Sequence, residues 1–267
     1  MKGYCFISSL LILCFLMSGT GTADINPETE ILFTASDEVS DLFLRIDNLL
    51  ADSSKQLKTD GLIGDKAASV LSDIISVSSI PGILSAVTVD TEGIIRAAEP
   101  AEYADIVGTN ISSQSHIQKA LMTKQPVRSD YFKAVEGFDA VTRSYPVFSE
   151  ENEYLGMVHL VYDPQLLYEM TLNPVTSKTP YAVCVMDSDG MILYSSDPFL
   201  KFNTNIITDY QQSTDLKKTG EEMIHTYAGS SSCIMPSETE TTDSVQSDII
   251  WNTVDNRIIG IIIPKKE

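Results

Sequence analysis

One stretch of this chain occurs twice, and that limits what the chain can fold into. Residues 86–111 read AVTVDTEGIIRAAEPAEYADIVGTNI, and residues 182–206 read AVCVMDSDGMILYSSDPFLKFNTNI. In both, alternating apolar residues run into an acidic glycine turn, a second apolar run, a proline and a closing Asn-Ile. The offset is 96 residues at Ala86 and Ala182, 97 at Gly93 and Gly190, and 95 at Asn110 and Asn205, a drift expected when loops change length between copies. A unit of about 95 residues is long enough to bury its own core. The pattern therefore predicts two small domains rather than a solenoid.

From Asn26 to about Ile80 apolar residues recur at three and four: Ile31, Leu32, Val39, Leu42, Phe43, Ile46, and again Ala67, Val70, Leu71, Ile74. That spacing predicts two helices, or one long bent one, interrupted near Thr59 to Gly64 and serving as a spine for two sheets. Ile80-Pro81-Gly82 ends the helix, and the period changes to two. VTVD, EGIIRAA, KQPVRSDYF, DAVTRSYPVF and LGMVHLVY read as strands, with a short helical stretch in NISSQSHIQKALMT. PQLLYEMTL is a linking helix. The same order then returns: strands in YAVCVMD and MILYSSD, a helix near 207–225, and strands near 226–236, 246–254 and 257–263, with PSETETTDS as an exposed hairpin loop. The expected fold is α+β, a long N-terminal helix followed by two tandem units, each a five-stranded antiparallel sheet with flanking helices. The expected boundaries are a signal peptide at 1–23, the spine at 24–80, a distal unit at 81–165, a linking helix and linker at 166–179, and a proximal unit at 180–267.

The formal charge of −19 and pI near 4.4 exclude a phosphate-binding surface, which needs clustered Lys and Arg. Lys2, the apolar run after it and the small residues before Asp24 make a secretory signal, cleaved after Ala23, with an uncleaved anchor as the alternative. Cys184 and Cys233 then remain, both in strand-like segments, where buried thiols are expected ahead of a disulfide. IIGIII at 258–263 is too short to span a membrane, so neither a further span nor a cytoplasmic output domain is expected.

GTNISSQSHIQKAL, PVRSDYF and YPVFSEENEYLGMVHLVYDPQLL in the first unit, then VMDSDGMILYSSDP and IIWNTVDNRIIGIII in the second, occur in the order found in extracytoplasmic double Cache sensor domains. The chain resembles that family over roughly residues 26–264. The resemblance implies a PAS-like fold in each unit and a small ligand in the distal one. It also implies a membrane-bound signalling partner, because such domains sit on histidine kinases, chemoreceptors or cyclases and lead into a transmembrane helix, and no such helix is expected here. In amino-acid-binding members an Arg and an aromatic two residues on, a strand Tyr and a strand Asp hold the ligand. At the matching positions stand Gln114, His116, Tyr131 and Val161. Only the tyrosine matches, so free α-amino acids are not expected. His159 lies two residues before Val161 and shares its strand face. His159, His116 and either Arg143 or Arg128 are expected to hold a small carboxylate instead.

Each of these residues also has a plain structural explanation. His159 fits a core histidine, His116 a surface residue and Tyr131 strand packing, and the parity of Arg143 is open. DSDG at 187–190 fits a hairpin turn rather than a calcium loop. Trp251 is expected between sheet and spine, and Asn110-Ile-Ser112 is a glycosylation sequon. HExxH, GxSxG and phosphate-cradling loops are missing, so the sequence predicts neither catalysis, metal nor cofactor. The competing function is a ligand-free structural or partner-binding envelope protein.

Overall fold

The computed structural model describes residues 26–77, 79–235 and 245–265. The signal segment and the PSETETTDS loop lie outside them. Helix α1 runs Pro27–Asp60, 34 residues, and α2 runs Gly64–Val77. Asn26 caps α1 by accepting from the Thr29 amide at 2.9 Å, with Pro27 in the first turn. Gly61, at φ +80°, takes the chain out of the helix where the sequence predicts a break.

The first sheet is built from β1 (Ile83–Asp90), β2 (Ile95–Glu99), β3 (Val127–Arg128), β4 (Phe132–Lys133), β5 (Asp139–Phe148) and β6 (Tyr154–Tyr162). Its order is β2-β1-β6-β5-β3, with β4 also on β5, and all pairs are antiparallel. Helix α3 (Ser115–Thr123) lies in the connection between β2 and β3, and α4 (Pro164–Thr176) follows β6. The second sheet has β7 (Ala182–Met186), β8 (Ile192–Ser195), β9 (Ala228–Met235), β10 (Val245–Val254) and β11 (Arg257–Pro264), in the order β8-β7-β11-β10-β9. Helix α5 (Thr214–His225) precedes β9. The long N-terminal helix and two antiparallel sheets with helices are the expected α+β architecture. KQPVRSDYF, expected as one strand, is instead two short pairings separated by Ser129–Tyr131.

The two first hairpins use the same devices. The Asp90 carboxylate accepts from the amides of Glu92 and Ile94, and that of Asp187 from those of Asp189 and Met191. Ile94 bridges to Asn110, and Met191 to Asn205. DSDG is thus a turn closed by its own aspartate.

The main core lies between the sheets and the spine. Leu42, Ile46 and Leu50 of α1 are fully buried and join Val158, Leu160 and Tyr162 of β6, Val183 and Val185 of β7, and Ile259 and Ile261 of β11. Alternate residues of β6 therefore face opposite ways: Val158, Leu160 and Tyr162 face the spine, while Met157, His159 and Val161 face outward. Trp251 corrects an expectation. It belongs to the outer core of the second sheet with Cys184, Met223 and Ile249, and its indole donates to Thr226 Oγ1 at 3.2 Å. Its neighbour Asn252 takes the spine side instead, donating to Ser36 Oγ. Cys184 and Cys233 are buried thiols in this layer, pushed up to about 12 and about 11 by burial.

Candidate functional site

The outer face of the first sheet carries a cavity. Val87 and Ile95 of β1 and β2, and Val161 of β6, form its floor. Ile111, Gln114, His116 and Ile117 close one side from α3 and the turn before it. Phe132, Val135 and Glu136 close another from the hairpin between β4 and β5. The space left for the centre of a water-sized sphere is about 20 Å³. That exceeds the need of one water and suits a molecule of a few non-hydrogen atoms.

His159 is the most constrained polar group in the cavity. Strand pairing sets it opposite Ser144, whose Oγ is 2.7 Å from its Nδ1. Its Nε2 is buried with no partner. Burial, with His116 adding to it, pushes the ring down to about 3. His116 is 7% exposed, packs its ring 4.5 Å from that of Phe132, and is pushed down to about 4 by burial, with Asp130 opposing. Both imidazoles are neutral at physiological pH. Thr142 donates to the Leu160 carbonyl at 2.9 Å and so spends its hydroxyl on the sheet. Glu136 Oε1 accepts from Ser85 Oγ at 2.8 Å, which pins the hairpin to β1.

The fold brings Gln114, His116 and His159 to one cavity, and it turns three other sequence candidates away. Arg143 stands on the spine face of β5, where Nε and Nη2 donate to the two carboxylate oxygens of Asp47 at 2.5 and 2.7 Å. The alternation that sends Thr142 and Ser144 outward forces this. Arg128, with a side chain 3% exposed, lies 3.4 Å over the Phe43 ring and pairs with Asp255 at 2.8 Å. Tyr131 faces the second sheet: its ring meets Phe202 edge-on at 6.1 Å, its amide donates to Asp187 Oδ2 at 3.4 Å, and burial raises its hydroxyl. Sequence reasoning missed Phe132 and Glu136; the only signal was their position in the hairpin between two strands that flank the histidines. Because Arg143 serves the spine, a double-mutant cycle of Arg143→Met with Asp47→Asn is expected to show coupling of about 1–2 kcal/mol in urea unfolding. The same variants should leave the response to any cavity ligand unchanged.

Other depressions are wider and more open. One of about 240 Å³ lies at the C-terminal end of α5 beside Met223 and Tyr227, and one of about 500 Å³ lies along Ser230, Ser232 and Asp248. Neither is lined by a buried unpartnered polar atom among the described residues. Nor do those residues hold a cluster of three or more metal-ligating side chains, or a helix long and apolar enough to cross a membrane.

Residues 42–164, which include the whole cavity, match the family model described as the HK/GC/Chemotaxis protein-like sensor domain. No curated protein matches the sequence. Among solved structures, an extracellular ligand binding receptor from Desulfohalobium retbaense DSM5692 has a TM-score of 0.72 and 22% identity, over 88% of this chain and 40% of that one. This chain thus spans well under half of that receptor. The ligand binding domain of the Pseudomonas aeruginosa PAO1 amino acid chemoreceptor PctC, in complex with GABA, has a TM-score of 0.59 and 13% identity over 89% of this chain and all of that one. The sensory domain of the Campylobacter jejuni chemoreceptor Tlp3 with isoleucine bound has the same TM-score and identity, over 89% and 91%. The chain has the fold of these double Cache sensor domains, and its first unit matches the sensor family in sequence.

Proposed function

We infer, from a sensor-family sequence over the first unit and a sensor fold over both, that this chain is an extracytoplasmic sensory module. It binds a small organic ligand in the distal cavity without catalysis, and a membrane-bound partner reads the occupancy. The observation that carries this is His159, a buried imidazole whose Nε2 has no partner and lines a cavity. A buried polar atom left unpaired costs about 1–3 kcal/mol, which a ligand or an ordered water recovers. The extracellular and sensory relatives support the compartment.

A carboxylate ligand, favoured from the sequence, depended on a guanidinium that the fold turns away. In this cavity it would meet two imidazoles held neutral by burial, so it would enter only with a proton.

A route to the second unit starts at the cavity wall. Phe132 touches His116, and the residues before it reach across: the Ser129 carbonyl accepts from Arg257 Nη2 at 2.6 Å, Ser188 Oγ donates to Asp130 at 3.4 Å, and Tyr131 bonds Asp187. A ligand that moves Phe132 pulls on the first hairpin of the second unit and on the turn between β10 and β11.

The test is a thermal-shift screen with small carboxylates, amino acids, amines, purines and sugars. A ligand at 100 times its dissociation constant adds about 2.7 kcal/mol of stability. His159→Ala is expected to remove that gain, and an unchanged gain in this variant would sink the assignment. Silence from every class would transfer the weight to a partner-binding envelope protein.

A further inference from the structure

We propose that the cavity takes a small primary ammonium and that Glu136 is its anchor; this rests on the distal cavity being the ligand site. Glu136 is the one acidic side chain, and no Lys or Arg stands beside it, among the residues lining the cavity. The two arginines nearest in sequence are committed on the other side of the sheet, Arg143 to Asp47 and Arg128 to Asp255. Ser85, itself fully buried, fixes one oxygen of Glu136, and the other makes no hydrogen bond among the described residues.

The remaining polar atoms suit a donor. When His159 Nδ1–H donates to Ser144 Oγ, Nε2 presents a lone pair to the cavity, buried and unpartnered. Gln114 adds an amide oxygen in the lining. An ammonium has three N–H donors and no acceptor, so it matches the uncommitted Glu136 oxygen and the His159 lone pair. A carboxylate would lie near Glu136 without a cation to offset it, and a neutral alcohol would leave that carboxylate's charge unused. The apolar lining of Val87, Ile95, Ile111 and Val161 suits a short alkyl group rather than a hydrated metal ion. The chain's charge of −19 concentrates cations near its surface.

Three small probes, of two to four non-hydrogen atoms, separate the cases: methylammonium, acetate and ethanol, titrated calorimetrically at constant ionic strength. Methylammonium is expected to bind, acetate and ethanol not to, and Glu136→Gln to weaken methylammonium at least tenfold. Acetate or ethanol binding while methylammonium is silent would overturn the inference and leave the cavity as the ligand site. Silence from all three, together with silence across the wider screen, would remove the site itself. Methylammonium binding that survives Glu136→Gln overturns the role of Glu136. Should that variant not fold, Ser85→Ala keeps the charge and frees its oxygen; retained binding there supports the anchor, and complete loss contradicts it.

Discussion

Replacing Gly156 by alanine is expected to cost about 4 kcal/mol or more, a large share of the stability of a small domain. Gly156 lies in β6 between Asp90 of β1 and Val147 of β5, next to the register shift at Val147 and Phe148. Its φ is +142°, and an added Cβ would overlap the Val89 carbonyl oxygen and come within 2.9 Å of the Asp90 Cα. Backbone on a central strand cannot move aside without breaking two ladders. Gly137 is the control. It also has positive φ, +99°, but an added Cβ meets nothing within 4 Å, so Gly137→Ala should cost only about 1 kcal/mol. Urea unfolding followed by circular dichroism and by the single tryptophan, Trp251, checks both. Because one core joins both sheets through α1, the two probes should shift together for Gly156→Ala, although Trp251 lies in the other unit.

Acid should destabilise the fold well before most carboxylates titrate. The unfolded chain protonates its histidines near pH 6.5, whereas folded His116 and His159 stay neutral down to about 4 and about 3. Between these limits the unfolded state binds more protons, so stability is full above pH 6.5 and falls as the pH drops toward 4. Two such groups give a slope of up to about 2.7 kcal/mol per pH unit in the middle of the window. Urea midpoints at pH 7, 6, 5 and 4.5 read this directly. His159→Gln, which keeps a polar group of similar size, should roughly halve the slope; a midpoint that stays flat from pH 6 to 4.5 contradicts the burial of both rings.

The architecture was legible because each element depends on a periodicity. The three-four spacing of Val39, Leu42, Phe43 and Ile46 marks a helix with one buried face, and it is the face that α1 buries. The acidic glycine turns and closing asparagines mark hairpins because Asp90, Asp187, Asn110 and Asn205 satisfy local backbone amides. The site was legible only in part. On β5 both faces are covered, by α1 on one side and by the cavity and its hairpin on the other, so buried residues do not alternate with exposed ones. Without that alternation the sequence could not say whether Arg143 or Thr142 faces the cavity. Trp251 was misplaced for a different reason: β10 packs on both faces, Ile250 toward the spine and Trp251 away from it, and a large aromatic suits either. Glu136 sits beside Gly137 in a turn, where a glutamate reads as solvent-exposed; only the fold shows that the hairpin leans back onto β1 and Ser85.

The most direct test of the cavity as a ligand site is to follow the imidazole nitrogens of the chain's three histidines by NMR during titration with methylammonium. His225 is exposed at the end of α5, with Nδ1 2.6 Å from the Glu221 carbonyl, and serves as the internal control. The account predicts that His116 and His159 shift together along one saturable curve, stay neutral throughout, and leave His225 unmoved. Saturable binding that leaves the His116 and His159 nitrogens unchanged would place the ligand elsewhere and contradict the account.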